Sequence, residues 1–548
     1  MLKKTSDYTI PAETVRIVRK AFPKGNLYIR LRDELGSIFQ DEQFSELYSS
    51  TGQPGWPAWR LALVTIMQFM ENLTDRQTAE AIRARLDWKY ALGLKLDDPG
   101  IDHSVLNEFR ERLLEGGKEW ILLERLLEVA RERKLLGTKT QRTDSTYILA
   151  RIRQMKRLEV VGEAMRRVLD DLAMVAPEWL RAHQKAEWIP RYGRPIDLYR
   201  LPKSQAEQVA WAEEVGRDGF WLLERVQAED TPAEIRGLPS LEVLRRIWIQ
   251  QYYREGETIR WRTEKEGLPP AHQMIASPDD LEARYAGKAG FYWTGYKVHF
   301  TETCEAESPH LITDVETTPA TTADARVLED IQARLQQRQI APEQHLLDSG
   351  YASLSTLMTS RERGIELLAP LLRDRSWQAR QANGYDHTHF QFDWERQVAT
   401  CPQGQTSRPA RKGQCRNGLP TLTFAFDLKT CQACAVKTKC TRAKKSGRQL
   451  TVLAPPLYEF IQEQRQRQQE EGFEKRYRKR AGIEGTFSQA VRGHGLRQAR
   501  YLGLARTHLQ NLATAAAINL ARLYTWLCGK SRVSSRPSAY LTFATAPA

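Results

Sequence analysis

The chain has 548 residues, more than one hydrophobic core normally supports, so two or more domains, or one domain with large insertions, are expected. Hydrophobic residues at 41% and charged residues at 27% are ordinary for a globular protein. No apolar run approaches the roughly 18 residues of a bilayer span, and Met1-Leu2-Lys3-Lys4 has no apolar stretch behind it, which excludes a membrane-spanning chain and gives no secretion signal. Lysine and arginine (82) exceed aspartate and glutamate (68), and a net charge of +14 favours polyanionic partners, nucleic acid first among them. In a reducing compartment, clustered cysteines point to a metal site rather than to disulfides.

In chain order, residues 61 to about 114 carry helical periodicity, restarted at Thr74, whose partner Gln77 three residues on completes a capping box. Several short helices separated by Gly93 and Asp97-Asp98-Pro99-Gly100 suit a helix-turn-helix-like DNA reader, and a plain helical bundle fits the same pattern. Thr138 to Ala150 switches to β-branched alternation and places Asp144 inside a strand. Residues 151 to about 262 return to long helices and hold Trp179, Trp188, Trp211, Trp221, Trp248 and Trp261, any of which can be core or can stack on a displaced base. Strands follow at Phe291 to Phe300, where Lys297 and His299 share a face, and at His310 to Thr317. A helix from Thr322 to Arg338 leads to a short apolar strand ending at Asp348-Ser349-Gly350, then come a helix near 353 to 363 and a strand from Ile365 to Leu371. This order predicts a mixed sheet covered by helices. Residues 372 to 455 break the pattern with Gly, Pro, basic residues and Cys401, Cys415, Cys431, Cys434 and Cys440. Helix is expected again from Leu457 to about Val491 and from Leu504 to Leu527, and Ser534 to Ala548 reads as a loose tail.

Carboxylates on separated elements can hold two divalent metal ions about 3.5–4 Å apart for phosphodiester chemistry. Asp144 in mid-strand, Asp348 at a strand end and Glu484 on a helix are the candidates. Their settings carry the argument. Thr143-Asp144-Ser145-Thr146, Ser277-Pro278-Asp279 with Ala283-Arg284, Gly295-Tyr296-Lys297 with His299, Asp348-Ser349-Gly350-Tyr351 and Gly482-Ile483-Glu484-Gly485-Thr486 occur in that order. Gly495-Leu496-Arg497, Ala499-Arg500-Tyr501-Leu502-Gly503 and Asn519-Leu520 with Arg522 follow, and Leu73-Thr74-Asp75-Arg76 through Asn107-Glu108-Phe109-Arg110 precede them. In these words the chain resembles bacterial insertion-sequence transposases of the DDE class over about residues 15 to 525.

The resemblance implies an α/β fold: an RNase H-like mixed sheet with helices on both faces, a helical and a Cys-rich insertion, and an all-α N-terminal domain. The expected segments are 1–137, a helical DNA-binding domain; 138–150, the first catalytic strand; 151–270, the helical insertion; and 271–371, the catalytic core continued. They end with 372–455, a Cys-rich zinc-binding insertion; 456–530, catalytic C-terminal helices; and 531–548, the tail. It further implies Asp144, Asp348 and Glu484 as catalytic ligands of two Mg²⁺ or Mn²⁺ ions. The partners implied are double-stranded DNA, as terminal inverted repeats and target, and a second copy in the active complex, with no membrane; the location implied is cytoplasmic, at a bacterial nucleoid.

Tyr477, Arg480 and Glu484 at i, i+3 and i+7 resemble the tyrosine-arginine-glutamate signature of one transposase group. That signature ends in Lys or Arg seven residues after the glutamate, whereas here Val491 stands there and Arg492 follows. Tyr477, Arg480, Arg492, Lys297 and His299 are the expected DNA contacts. Cys401, Cys431, Cys434 and Cys440 are spaced for tetrahedral zinc, with Cys415 a fifth candidate and Gly404 in place of a second cysteine in the first knuckle. A metal-dependent endonuclease or resolvase, or a transposase-derived DNA-binding protein without catalysis, are the competing readings.

Overall fold

The structure is a computed structural model and describes residues 1–2, 5, 8–288, 290–371, 374, 376–381 and 383–529. The tail expected at 531–548 lies outside the described residues. The chain divides into two compact units, one comprising Met1–His345 and Ala481–Ala548, the other Leu346–Arg480.

The first unit begins with helices, including Ala58–Met70, Asp75–Ala84, Leu86–Leu92, Ser104–Glu115 and Ile121–Glu132. The capping box forms as expected: the Gln77 amide donates to Thr74 Oγ1 at 3.3 Å and the Thr74 amide to Gln77 Oε1 at 2.9 Å, which satisfies donors a helix start otherwise leaves open. Trp59, Phe69, Trp88, Phe109 and Leu126 fill the core between these helices. Leu509, Ala513, Ala516, Ala517 and Leu520 of the C-terminal helix Leu504–Leu527 belong to that same core, small side chains letting the helix axes approach closely. Among the described residues no helix is long and apolar enough to cross a membrane.

Strand β1 (Thr140–Leu149) opens the sheet, and a hairpin β2 (Tyr252–Glu255) and β3 (Thr258–Trp261) stands apart from it. β4 (Arg284–Lys288), β5 (Phe291–Thr303) and β6 (Ile312–Pro319) follow. β5 is the hub, pairing antiparallel with β1, β4 and β6 and placing Phe300 opposite Asp144 and Glu302 opposite Arg142. β7 (Gln344–Leu346) begins in this unit, where the Gln344 amide donates to the Lys139 carbonyl at 3.0 Å. One sheet face is covered by the helices Gly482–His494 and Leu504–Leu527, with Phe487 stacked on Phe300 and Asn519 hydrogen bonded to both backbone groups of Ile312. The other face is covered by Leu328–Gln337, whose Arg334 pairs with Asp314 and Glu316.

Residues 157–251 form helices around their own core of Val161, Met165, Val215, Leu222, Leu244 and Trp248. Trp188 and Trp248 are buried core residues, and Trp179, Trp211, Trp221 and Trp261 are half-buried and pack against that core. The helical expectation fails at 252–261, where Tyr252, Tyr253, Thr258 and Ile259 favour strand and Gly256, at φ +62°, turns the hairpin β2–β3.

In the second unit, Ser353 caps the helix Leu354–Glu362, which leads to β8 (Glu366–Leu368), and the Leu347 amide donates to the Leu368 carbonyl at 3.1 Å. β9 (Gln391–Asp393) and β10 (Val398–Thr400) form one hairpin, and β11 (Arg411–Gln414), β12 (Pro420–Ala425) and β13 (Gln449–Leu453) a three-stranded antiparallel sheet. Phe390, Leu422, Phe424, Phe426 and Leu450 are its core. The single helix expected from Leu457 to Val491 is instead Leu457–Arg467, Phe473–Tyr477, a 3₁₀ turn at Arg478–Ala481, and Gly482–His494. Gly472, at φ +95°, breaks the first junction, and the tighter 3₁₀ winding at Arg478–Ala481 interrupts the α-helix at the second.

Candidate functional site

Asp144 sits in the middle of β1, 8% exposed, with Oδ1 accepting from the Ser145 amide at 2.8 Å. By strand alternation it shares a face with Arg142 and, across the pair, with Phe300 and Glu302. The helix Gly482–His494 lies on that face. A Cβ at Gly482 would fall 2.1 Å from the Arg142 guanidinium, so a larger residue there would have to displace Arg142 from its place. Glu484 is exposed two residues further on, on the stripe of Ser488 and Arg492, while Ile483, Thr486 and Phe487 are buried. The helix runs to His494 and ends at Gly495, at φ +67°.

The residue that fixes this helix is Glu302, fully buried beneath it. Its carboxylate accepts from Arg142 at 2.6 Å, from Arg522 at 2.8 Å and from the Thr486 hydroxyl at 2.7 Å; Arg522 also donates to Thr486 at 2.6 Å and to Gln489 at 3.2 Å. Burial alone would raise the Glu302 pKa, but Arg522 and Arg142 outweigh it and the pKa falls below the usual carboxylate value. β1, β5, the Glu484 helix and the C-terminal helix thus meet on one charge. Glu302 was not singled out in the sequence. The signal was available: it continues the face of Tyr296, Val298 and Phe300, where an acid must be paired if it is buried.

Behind β1, the Thr143 hydroxyl is hydrogen bonded to Thr301 Oγ1 at 2.6 Å and to His345 Nε2 at 2.7 Å. Burial depresses His345 and His299 to about 3 and His508 to about 4. All three are held neutral in the fold, against an ordinary histidine value of about 6.5. A depressed folded pKa means that the unfolded chain binds protons first, so this stability is complete above about pH 6.5 and is lost as pH falls towards the folded values. Between pH 7 and pH 6 the three together are expected to cost about 2 kcal/mol, read as a lowered midpoint in urea unfolding followed at both pH values. An unchanged midpoint would place these rings in contact with water.

His299 is fully buried, and this corrects its reading as a DNA contact: it packs against the sheet within 3.5 Å of Thr318 Oγ1. Lys297 likewise has its ammonium taken up by Asp324 at 2.5 Å and by the Thr322 carbonyl, so its charge is spent inside the protein. Several of the ordered sequence words prove to be junctions. Asp280 accepts from the Tyr296 hydroxyl at 2.6 and 2.7 Å and from the Gly503 amide at 3.1 Å. Arg497 donates to Thr146 Oγ1 and the Tyr147 carbonyl and lies 3.7 Å above the Tyr147 ring. Arg500 donates to the Leu73 carbonyl at 2.7 Å, and His494 Nδ1 is 2.9 Å from the Phe69 carbonyl oxygen.

In the second unit, Asp348 follows β7 and closes a turn, its Oδ1 accepting from the Gly350 amide at 2.8 Å. The ring of Tyr477 stacks on Phe473 at 5.9 Å, and Arg480 lies in the 3₁₀ turn. Cys401, Cys431, Cys434 and Cys440 line one narrow cavity with Phe390, Phe426 and Arg448, and Cys415 does not line it. The Gln405 amide points at Cys401 Sγ and the Arg448 amide at Cys431 Sγ, both at 3.4 Å. Burial raises the Cys440 thiol to about 11, with Arg448 opposing and Cys431, Cys401 and Cys434 adding to the rise. Among the described residues, no three His, Cys, Asp or Glu side chains are drawn together closely enough to be a finished metal site.

Two family descriptions match the chain. Residues 16–112 match a transposase domain, and residues 400–524 match a transposase DDE domain, which implies an RNase H-like fold for the sheet and its covering helices. No curated protein matches the chain. A match to a transposase domain towards the N-terminus and to a transposase DDE domain towards the C-terminus together support an insertion-sequence DDE transposase.

Proposed function

We propose that this transposase binds the terminal inverted repeats of its element, hydrolyses the phosphodiester at each end and joins the freed 3′-hydroxyls to target DNA. Water adds its oxygen to phosphorus and the departing 3′-oxygen takes a proton. That 3′-oxygen then attacks a target phosphodiester, and a target 3′-oxygen leaves. The observation that carries this reading is the clamping of the Glu484 helix onto the Asp144 face of β1 by Glu302, Arg142 and Arg522. Asp144, Asp348 and Glu484 are assigned as carboxylate ligands, a hard-oxygen donor set that fits two Mg²⁺ or Mn²⁺ ions. Such ions, when bound, stabilise charge on the attacking and leaving oxygens. The protein's own part is to hold the carboxylates rigidly.

Arg492, exposed on the Glu484 stripe, together with Tyr477 and Arg480, is assigned to DNA contacts, and the N-terminal helices to recognition of the ends. Two ends must be cut and joined together, so the active complex is at least a dimer. Purified protein with Mg²⁺ or Mn²⁺, a labelled end and a target plasmid tests the reading. Joined product supports it, cleavage alone supports an endonuclease or resolvase, and binding alone supports a non-catalytic derivative.

The thiols of Cys401, Cys431, Cys434 and Cys440 fit a structural zinc ion, since soft ligands converge on one cavity and backbone amides already point at two of the sulfurs. About one zinc per purified chain is expected by elemental analysis. Cys434→Ser should lose it and lower the melting temperature by several degrees, as should a chelator. Protein free of zinc and indifferent to chelation would remove the assignment.

A further inference from the structure

Three of the exposed large apolar side chains share one hairpin: Tyr285 on β4 and Phe291 and Tyr292 on β5, 56%, 46% and 61% exposed. The rings of Tyr285 and Tyr292 are parallel to within 3°, with centroids 5.9 Å apart. Tyr292 lies over Gly287, where a Cβ would meet its ring at 2.7 Å, so the strand opposite is cut back to seat the ring. On the other side of the hairpin, Phe291 rests on Tyr147 at 4.8 Å, and Arg497 covers that ring. At Gly295, where φ is +154°, a Cβ would lie 2.2 Å from the Ile148 carbonyl oxygen, so the end of β1 approaches β5 closely there.

Alternation along β5 puts Tyr292, and Tyr285 across from Thr294, on the face that carries Phe300 and Asp144. The distance from Phe300 to Tyr292 is at most about 26 Å at strand rise, a span of several nucleotides. The surroundings are cationic. Lys288 stands exposed opposite Phe291, and Arg151 is exposed next to Ala150, whose amide donates to the Thr294 carbonyl at 3.0 Å. Exposed aromatic surface on a hairpin among positive charges suits a ligand that is flat and anionic together, and an unpaired nucleotide is both.

We propose that the β4–β5 hairpin is a stacking platform for an unpaired nucleobase of the DNA on which the enzyme acts, with Tyr285 and Tyr292 receiving the base and Lys288 and Arg151 beside its phosphates. The proposal rests on the DNA-joining reading above. Stacking is worth roughly 1–3 kcal/mol per base, a factor of about 5 to 150 in affinity.

The test measures binding without Mg²⁺ or Mn²⁺, so that no strand is cut. Anisotropy titrations compare a labelled 20-base-pair duplex with the same duplex ending in a three-nucleotide fork. The parent is expected to favour the fork by about 10-fold or more. Tyr285→Ala with Tyr292→Ala should abolish that preference while the paired duplex binds as before, and the two Tyr→Phe changes should retain it. The platform is overturned by a parent without fork preference, by a preference that survives the alanines, or by an equal loss on both DNAs. It is also overturned if the alanines change only the oligomeric state, which would make the hairpin a contact between copies. A parent that binds neither DNA removes the DNA-joining reading and the platform with it, whereas binding without preference removes the platform alone.

Discussion

Asp144→Asn should lower end cleavage and strand joining by roughly 10³-fold or more while leaving the melting temperature and DNA binding close to those of the parent. The substitution keeps the shape of the side chain, and an amide oxygen can still accept from the Ser145 amide, the contact that orients the carboxylate at 2.8 Å. It removes the negative charge, and a neutral amide is a poor substitute where two dications must be neutralised. Glu484→Gln, on the exposed stripe of its helix, should act in the same direction. Single-turnover cleavage of a labelled end, followed beside a melting curve, separates a chemical defect from a folding one. Activity within 10-fold of the parent would mean that Asp144 is not a metal ligand.

Glu302→Ala is expected to destabilise the first unit by about 3 kcal/mol, because the buried Arg142 and the half-buried Arg522 would lose their shared counter-charge. The effect is electrostatic before it is steric. Glu302→Gln keeps the volume and most of the hydrogen bonds and should recover only part of the loss. Urea unfolding measures both variants. Below the denaturation range the alanine protein should also cleave poorly, since the Glu484 helix would no longer be fixed through Thr486 and Gln489. A midpoint unchanged in Glu302→Ala would show that the arginines find other partners and that the clamp is dispensable.

Most of the secondary structure was legible because local chemistry decides it. The capping box at Thr74, the alternation that makes β1 and the extent of the helix Leu504–Leu527 all follow from short-range pattern. The failures have long-range or geometric causes. Whether Lys297 and His299 face water depends on what packs over their strand, and Asp324 and the helix Leu328–Gln337 are remote in sequence. The break at Gly472 was visible as a glycine, but the 3₁₀ turn after it was not, since residues of good helix propensity fill Arg478–Ala481. The four cysteines that share a cavity could be named from spacing, whereas the exclusion of Cys415 required the fold. Resemblance nominates Asp144, Asp348 and Glu484, whereas Glu302, which ties the helix Gly482–His494 to β1, emerges only once strands β1 and β5 are paired.

The N-terminal helices are among the first parts of the chain to be synthesised, yet Leu509, Ala513, Ala516, Ala517 and Leu520 fill a share of their core. A ribosome must therefore have passed Leu520 before the packing of that helical module can finish. A chain interrupted before Leu504 leaves that part of the apolar core uncovered, which makes it a substrate for proteases. The helix Leu504–Leu527 thus makes the finished packing of the N-terminal helices depend on a segment remote from them in sequence.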